Sequence, residues 1–132
     1  MATILIVDDE KPVRQFLVAA FEQQGHQVLE ASHGRQALNI LANTSMHPDI
    51  VISDVMMPVV GGAELCSVLK SDPSTADIPV VLMSAGHPRS NATSLADALI
   101  GKPFDLDALD ALVRRLLLLR AQRSGPPVND AR

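Results

Sequence analysis

Tryptophan and tyrosine are absent from the 132 residues, and phenylalanine occurs three times. A stacked flavin therefore has no aromatic wall to lie against, and no Gly-rich phosphate loop accompanies the shortage. There is one cysteine, Cys66, so no internal disulfide can form. Within "GAELCSVLK" its helical spacing makes it a small core residue rather than a reactive thiol. Positive charge is scarce: 11 Lys and Arg stand against 15 Asp and Glu, a formal net charge of -4. That balance excludes the clustered cationic surface that nucleic-acid phosphates require. No basic segment with a long apolar run follows Met1, so no membrane insertion is expected and the chain reads as cytoplasmic. His26, His33, His47 and His87 fall in turn-like contexts at no metal-ligand spacing and read as solvated turn residues.

What the chain does contain is an ordinary globular balance, 47% hydrophobic and 20% charged, arranged as apolar runs that alternate with helical patterns. "TILIV" (3–7), "QVLEA" (27–31), "PDIVISD" (48–54), "VVLMSA" (80–85) and "ADALIG" (96–101) read as five strands. After the first, Val13, Phe16, Leu17, Ala20 and Phe21 form a helical stripe, with Pro12 near its start and Gly25 past its end. Ala37, Leu38, Leu41 and Ala42 mark a second stripe, and Leu65, Val68 and Leu69 a third. A final helix carries Leu106, Leu109, Leu112, Val113 and Leu116 on one face, with Asp105 as its N-cap and Leu118 on the opposite side. Such alternation implies an α/β fold with a parallel sheet covered on both faces. One domain is expected over 1–123, and "SGPPVNDAR" (124–132) reads as a flexible tail or the start of a linker.

The first strand discharges into three acids, Asp8, Asp9 and Glu10, and the third ends on Asp54. Two carboxylates about 4 Å apart repel by roughly 4 kcal/mol at an effective dielectric near 20. In doubly wound sheets the ligand site lies at the carboxyl ends of the strands, so Asp8, Asp9, Asp54, Ser84 and Lys102 should converge on one crevice. A hard cation such as magnesium, which prefers oxygen ligands, offsets the repulsion. A lysine ammonium and a serine hydroxyl beside it suit a phosphoryl group, and Asp54 can then be the nucleophile that accepts one. Taken singly, the acidic run is a helix-start signal, Asp54 a turn residue and Lys102 a surface lysine; Glu10 keeps the helix-start reading.

With "LIVDDE", "PDIVISDVMMP", "IPVVLMSA" and "GKPF" in that order, the chain resembles the receiver domains of two-component response regulators from Thr3 to about Arg120. The resemblance implies a flavodoxin-like doubly wound five-stranded parallel sheet in the order 2-1-3-4-5. It implies that Asp54 accepts a phosphoryl group from a histidine kinase or phosphotransfer protein. Asp8, Asp9, Asp54 and the backbone carbonyl of Met56 would hold magnesium, while Ser84 and Lys102 would bind the phosphoryl oxygens. Backbone N–H groups of Met56 and Ala85 would assist, and the Lys102–Pro103 bond would be cis.

Two departures from the family stand out. Receivers commonly carry Tyr, Phe or Trp three positions before the lysine, where Leu99 stands here, so an aromatic relay to the outer face cannot operate in its usual form. The segment from Ser84 to Lys102 is about one helical turn short, and "GHPRSNATSL" favours turns, so a short or partly unwound fourth helix is expected. Signalling through a reshaped or weakly switched surface follows. Met56 and Gly86, two residues past Asp54 and Ser84, offer no polar side chain to an attacking water, which predicts a long-lived phosphoaspartate.

The resemblance implies a phosphorylatable switch that acts on an output protein, not an enzyme turning over a free substrate. The alternative is a receiver-fold interaction scaffold with weak or absent switching. A cofactor binder or magnesium-dependent phosphatase on a similar sheet lacks the phosphate loop and room for a substrate cap. "RRLLLLR" is apolar on more sides than docking needs, which leaves scope for a homodimer through the last helix.

Overall fold

The computed structural model describes residues 2–43, 47–57, 59–85 and 95–123. Five strands, β1 (Thr3–Val7), β2 (Gln27–Ala31), β3 (Ile50–Asp54), β4 (Val80–Ser84) and β5 (Ala98–Gly101), form one parallel sheet in the order β2-β1-β3-β4-β5. Helices α1 (Lys11–Gln23), α2 (Gly34–Asn43), α3 (Gly62–Ser71) and α4 (Leu106–Arg123) complete the described elements. The strands β3 and β5 start two residues later than their apolar patterns suggest. The short helix expected over 86–95 falls almost wholly outside the described residues, as do the tail at 124–132 and His87.

Strand alternation sorts the core into two layers. Leu5, Val7, Val51, Val80 and Leu82 pack with Ala37 and Leu41 of α2 and with Leu65, Cys66 and Leu69 of α3. Their neighbours Ile4, Ile6, Ile50, Ile52, Val81 and Met83 pack on the other face with Leu17 and Phe21 of α1 and Leu109 and Val113 of α4. The central strands β1, β3 and β4 are therefore apolar on both sides, which is why they read as continuous runs. Cys66 is buried in the first layer as expected.

Helix ends follow their local chemistry. Pro12 sits in the first turn of α1, where no intrahelical N–H is needed, and Gly25 takes a left-handed φ of 94° just past its end. Asp105 caps α4 by accepting the Asp107 N–H at 3.1 Å. The buried helical stripes are narrower than the apolar spacing predicts, because one sheet face covers only the central line of a helix. Phe16 and Val68 are exposed, and so is Ala42, while Leu17, Phe21, Leu65 and Leu69 are buried. On α4 the anticipated leucines face the sheet and Leu118 faces solvent.

His26 departs from the solvated-turn reading. Its Nδ1 accepts the Ala2 N–H at 3.1 Å and its ring lies 6.0 Å from Phe21. Burial, the largest influence, pushes its pKa below the ordinary 6.5. Among the described residues no helix is long and apolar enough to cross a membrane.

Candidate functional site

Register explains why distant acids meet. Ile6 pairs with Ile52 and Val7 with Ser53 across β1 and β3, so Asp8 and Asp54 leave neighbouring strands at the same level. Ser84 pairs with Gly101 across β4 and β5, which puts Lys102 one residue beyond that level. The Lys102 N–H donates to the Ser84 carbonyl at 2.6 Å, and the Lys102–Pro103 peptide is cis.

The Lys102 ammonium sits between three carboxylates, 3.1 Å from Asp8 Oδ2, 3.3 Å from Glu10 Oε1 and 3.4 Å from Asp54 Oδ2. Asp8, Asp54 and Ser84 are buried. Carboxylate oxygens of Asp8, Glu10 and Asp54 lie within 4.8 Å of one another. An oxygen-only donor set of this kind fits a hard divalent cation such as magnesium.

Burial is the largest influence on Asp54 and raises its pKa above the ordinary 3.8. The Lys102 charge and hydrogen bond oppose that rise, and the charges of Asp8 and Asp9 reinforce it. Desolvation pulls Lys102 downward, but the Asp8 hydrogen bond and the charges of Asp54 and Asp8 outweigh it, and its pKa is raised. The ammonium thus stays charged in its pocket.

The backbone around Asp54 is held tightly. Val55 N–H donates to the Met83 carbonyl at 2.8 Å, and Gly62 N–H to the Val55 carbonyl at 2.9 Å. A Cβ at Gly62 would collide with the Asp54 carbonyl oxygen, so only glycine lets α3 begin this close to β3. In the same loop Val59 adopts a φ of 67°, a costly conformation for a β-branched residue.

Of the residues expected in the site, Asp8, Asp54, Ser84 and Lys102 gather at the carboxyl edge of the sheet. Asp9 is solvent-exposed but close enough for its charge to act on Asp54. Met56 lies on the loop after β3 with its side chain exposed.

Two residues escaped the sequence reading. Glu10 is more than a helix-start acid: its side chain makes no capping hydrogen bond and turns to Lys102 instead. Arg14, one turn into α1, donates from Nη1 to the Asp8 carbonyl at 2.7 Å and from Nε to Glu30 at 3.0 Å. Its one-turn spacing from Glu10 suggests a different pair, and its actual partners come from the end of β1 and from β2.

The family model described as the response regulator receiver domain matches residues 4–114. The chain belongs to the response regulator receiver domain family. It is similar to the phosphate regulon transcriptional regulatory protein PhoB of Pseudomonas aeruginosa, 37% identical over an alignment of 133 positions that covers 98% of this chain and 56% of that protein. It is also similar to the regulatory protein AtoC of Escherichia coli, 38% identical over 91% of this chain and 26% of that protein. This receiver thus spans about half, or less, of the length of these relatives.

Among solved structures, the signal receiver domain of a signal transduction histidine kinase from Syntrophus aciditrophicus superposes with a TM-score of 0.83 at 31% identity, covering 100% of both chains. The response regulator TrrA of Thermotoga maritima, determined in complex with Mg(2+)-BeF, gives 0.78 at 31% identity over 88% of this chain and 99% of its own. The receiver fold expected from the motifs is the fold observed.

Proposed function

We propose that Asp54 accepts a phosphoryl group and that this chain works as a phosphorylation-controlled switch. The observation that carries the reading is the buried Asp54 carboxylate with the Lys102 ammonium 3.4 Å away, inside a ring of acids at the carboxyl edge of the sheet. An Asp54 oxygen bonds to phosphorus as the donor's P–N bond breaks, and the bonding pair leaves with the histidine nitrogen of a phosphohistidine. Lys102 neutralises charge on the phosphoryl oxygens, and the Ser84 hydroxyl donates to one of them. Asp8, Asp9, Asp54 and the Met56 carbonyl would hold magnesium, with Glu10 adjacent. When bound, the ion neutralises the acids and polarises the phosphoryl group.

A histidine kinase or phosphotransfer protein is the donor in this reading. An apolar groove of about 550 Å³ beside Lys102, lined by Pro12, Val13, Phe16, Ala85, Pro103 and Phe104, offers a protein donor a seat next to the acceptor. The switch acts on an output protein rather than turning over a free substrate, and a nucleic acid is not its direct ligand. It works in the cytoplasm as a domain over 1–123 followed by a linker-like tail at 124–132. The homodimer reading rests on Leu118 and Leu119, both exposed on α4.

The test is intact-mass spectrometry after incubation with phosphoramidate, with and without magnesium. One phosphoryl group on Asp54, dependent on magnesium and lost in Asp54→Asn, is the expected result. After donor removal the adduct should decay over minutes or longer, because Met56 offers no polar group to an attacking water. Decay within seconds contradicts that part of the reading.

A further inference from the structure

Glu10 stands beside the acids that would hold magnesium, and its position is closely specified. Its backbone is extended, with φ -89° and ψ 106°. Its N–H donates to Asp8 Oδ1 at 2.8 Å, and its carbonyl accepts the Arg14 N–H at 3.0 Å. An acid that merely favours a helix start needs to lie near the first turn and nothing more. Glu10 instead extends its carboxylate to Lys102 Nζ at 3.3 Å, among acids that repel it.

A lysine ammonium has three N–H donors. Here three carboxylates surround it, those of Asp8, Glu10 and Asp54. A phosphoryl group on Asp54 replaces the Asp54 contact and brings two more oxygens that compete for the remaining donors. Asp8 and Asp54 are buried at strand ends, whereas the Glu10 side chain is 61% exposed and is the partner released at least cost.

We propose that Glu10 is a positioning residue that holds Lys102 in the unphosphorylated protein and competes with the phosphoryl oxygens for its ammonium when Asp54 is phosphorylated. This rests on the reading of Asp54 as phosphoacceptor. Glu10 is the internal competitor of the phosphoryl oxygens for one ammonium, a brake on phosphorylation built into the residue before α1. Glu10→Gln keeps the side chain's shape and disturbs no capping bond, so the fold should survive the change.

The experiment compares the full chain and Glu10→Gln with phosphoramidate and magnesium, following Asp54 phosphorylation by mass spectrometry. In that reaction an Asp54 oxygen bonds to phosphorus while the P–N bond breaks and ammonia carries off the bonding pair. The variant should react about three- to five-fold faster at low donor concentration, the scale of one partly exposed charge contact. The gain should shrink in high salt without vanishing, because the contact is direct but one of its partners is 61% exposed. The ammonium NMR signal of Lys102 should differ between the two proteins before phosphorylation and coincide after it.

An unchanged or slower rate in Glu10→Gln overturns the proposal, and so does a gain that vanishes in high salt. If the unsubstituted chain takes up no phosphoryl group on Asp54, the reading of Asp54 itself falls. If it does and Glu10→Gln behaves identically, only the role of Glu10 is lost.

Discussion

At the scale of single residues, the site is a balance between burial and charge that Lys102 only partly offsets. Because burial raises the pKa of Asp54 in the folded protein, the fold binds that proton more tightly than the unfolded chain does. The contribution of this group to stability is full below the ordinary 3.8 and is lost as pH rises through the raised value. At neutral pH the ionised Asp54 is therefore a net burden on the fold. Asp54→Asn should raise the melting temperature by a few degrees at pH 7 in chelator-containing buffer, and the advantage should shrink towards pH 3.5. Thermal unfolding followed by circular dichroism at the two pH values checks this. A lower melting temperature at pH 7 would mean that the Lys102 pair outweighs desolvation. Asp8, Asp54, Ser84 and Lys102 were legible in the sequence because each follows a recognisable apolar run. Glu10 was not, because its reach to Lys102 depends on a side-chain direction set by partners 92 residues away.

At the scale of elements, α4 shows the difference between an apolar surface and a packed one. Leu109 is fully buried against the sheet, while Leu118 is 60% exposed. Leu109→Ala should cost about 3 kcal/mol, the middle of the range for a buried leucine, and Leu118→Ala about 0.5 kcal/mol or less in a monomer. Urea unfolding of both variants at two protein concentrations measures the contrast. A Leu118→Ala effect that grows with protein concentration would instead show that this face is covered by a second copy. The helix end is further anchored by Arg120, which reaches Asp49 Oδ1 at 3.1 Å and Asp77 Oδ2 at 3.7 Å. A second clamp joins α3 to β5: Lys70 Nζ donates to the Ile78 carbonyl at 2.9 Å and to Asp97 Oδ2 at 2.8 Å. Helical spacing located the buried stripes but overestimated their width at Phe16 and Val68, since periodicity reports which way a residue points and not how far a neighbour extends.

At the scale of the whole molecule, the question is how a charge change at Asp54 reaches the outer surface. Leu99, on the edge strand β5, is 44% exposed and has no ring to turn inward or outward. A beryllofluoride mimic of the phosphoryl group, added with magnesium, should shift backbone amide signals near Asp54, Met56, Ala85 and Lys102 strongly and those at Leu99 and Ile100 weakly. Two-dimensional amide NMR decides it. Shifts at Leu99 as large as those beside Asp54 would show that the aliphatic residue relays the change after all.

The sequence by itself determined the strand and helix alternation, the apolar faces and the identity of the charged groups, because these follow from local periodicity and side-chain chemistry. Its motifs also carried the strand order, by likeness to a family rather than by any calculation from spacing. Tertiary structure alone decided that Glu10 joins Asp8 and Asp54 around one ammonium while Asp9 stays exposed, that His26 is partly buried and that Phe16 is not. Those outcomes depend on which surfaces meet across the sheet, and a side chain's final partner is a property of that meeting, not of its neighbours along the chain.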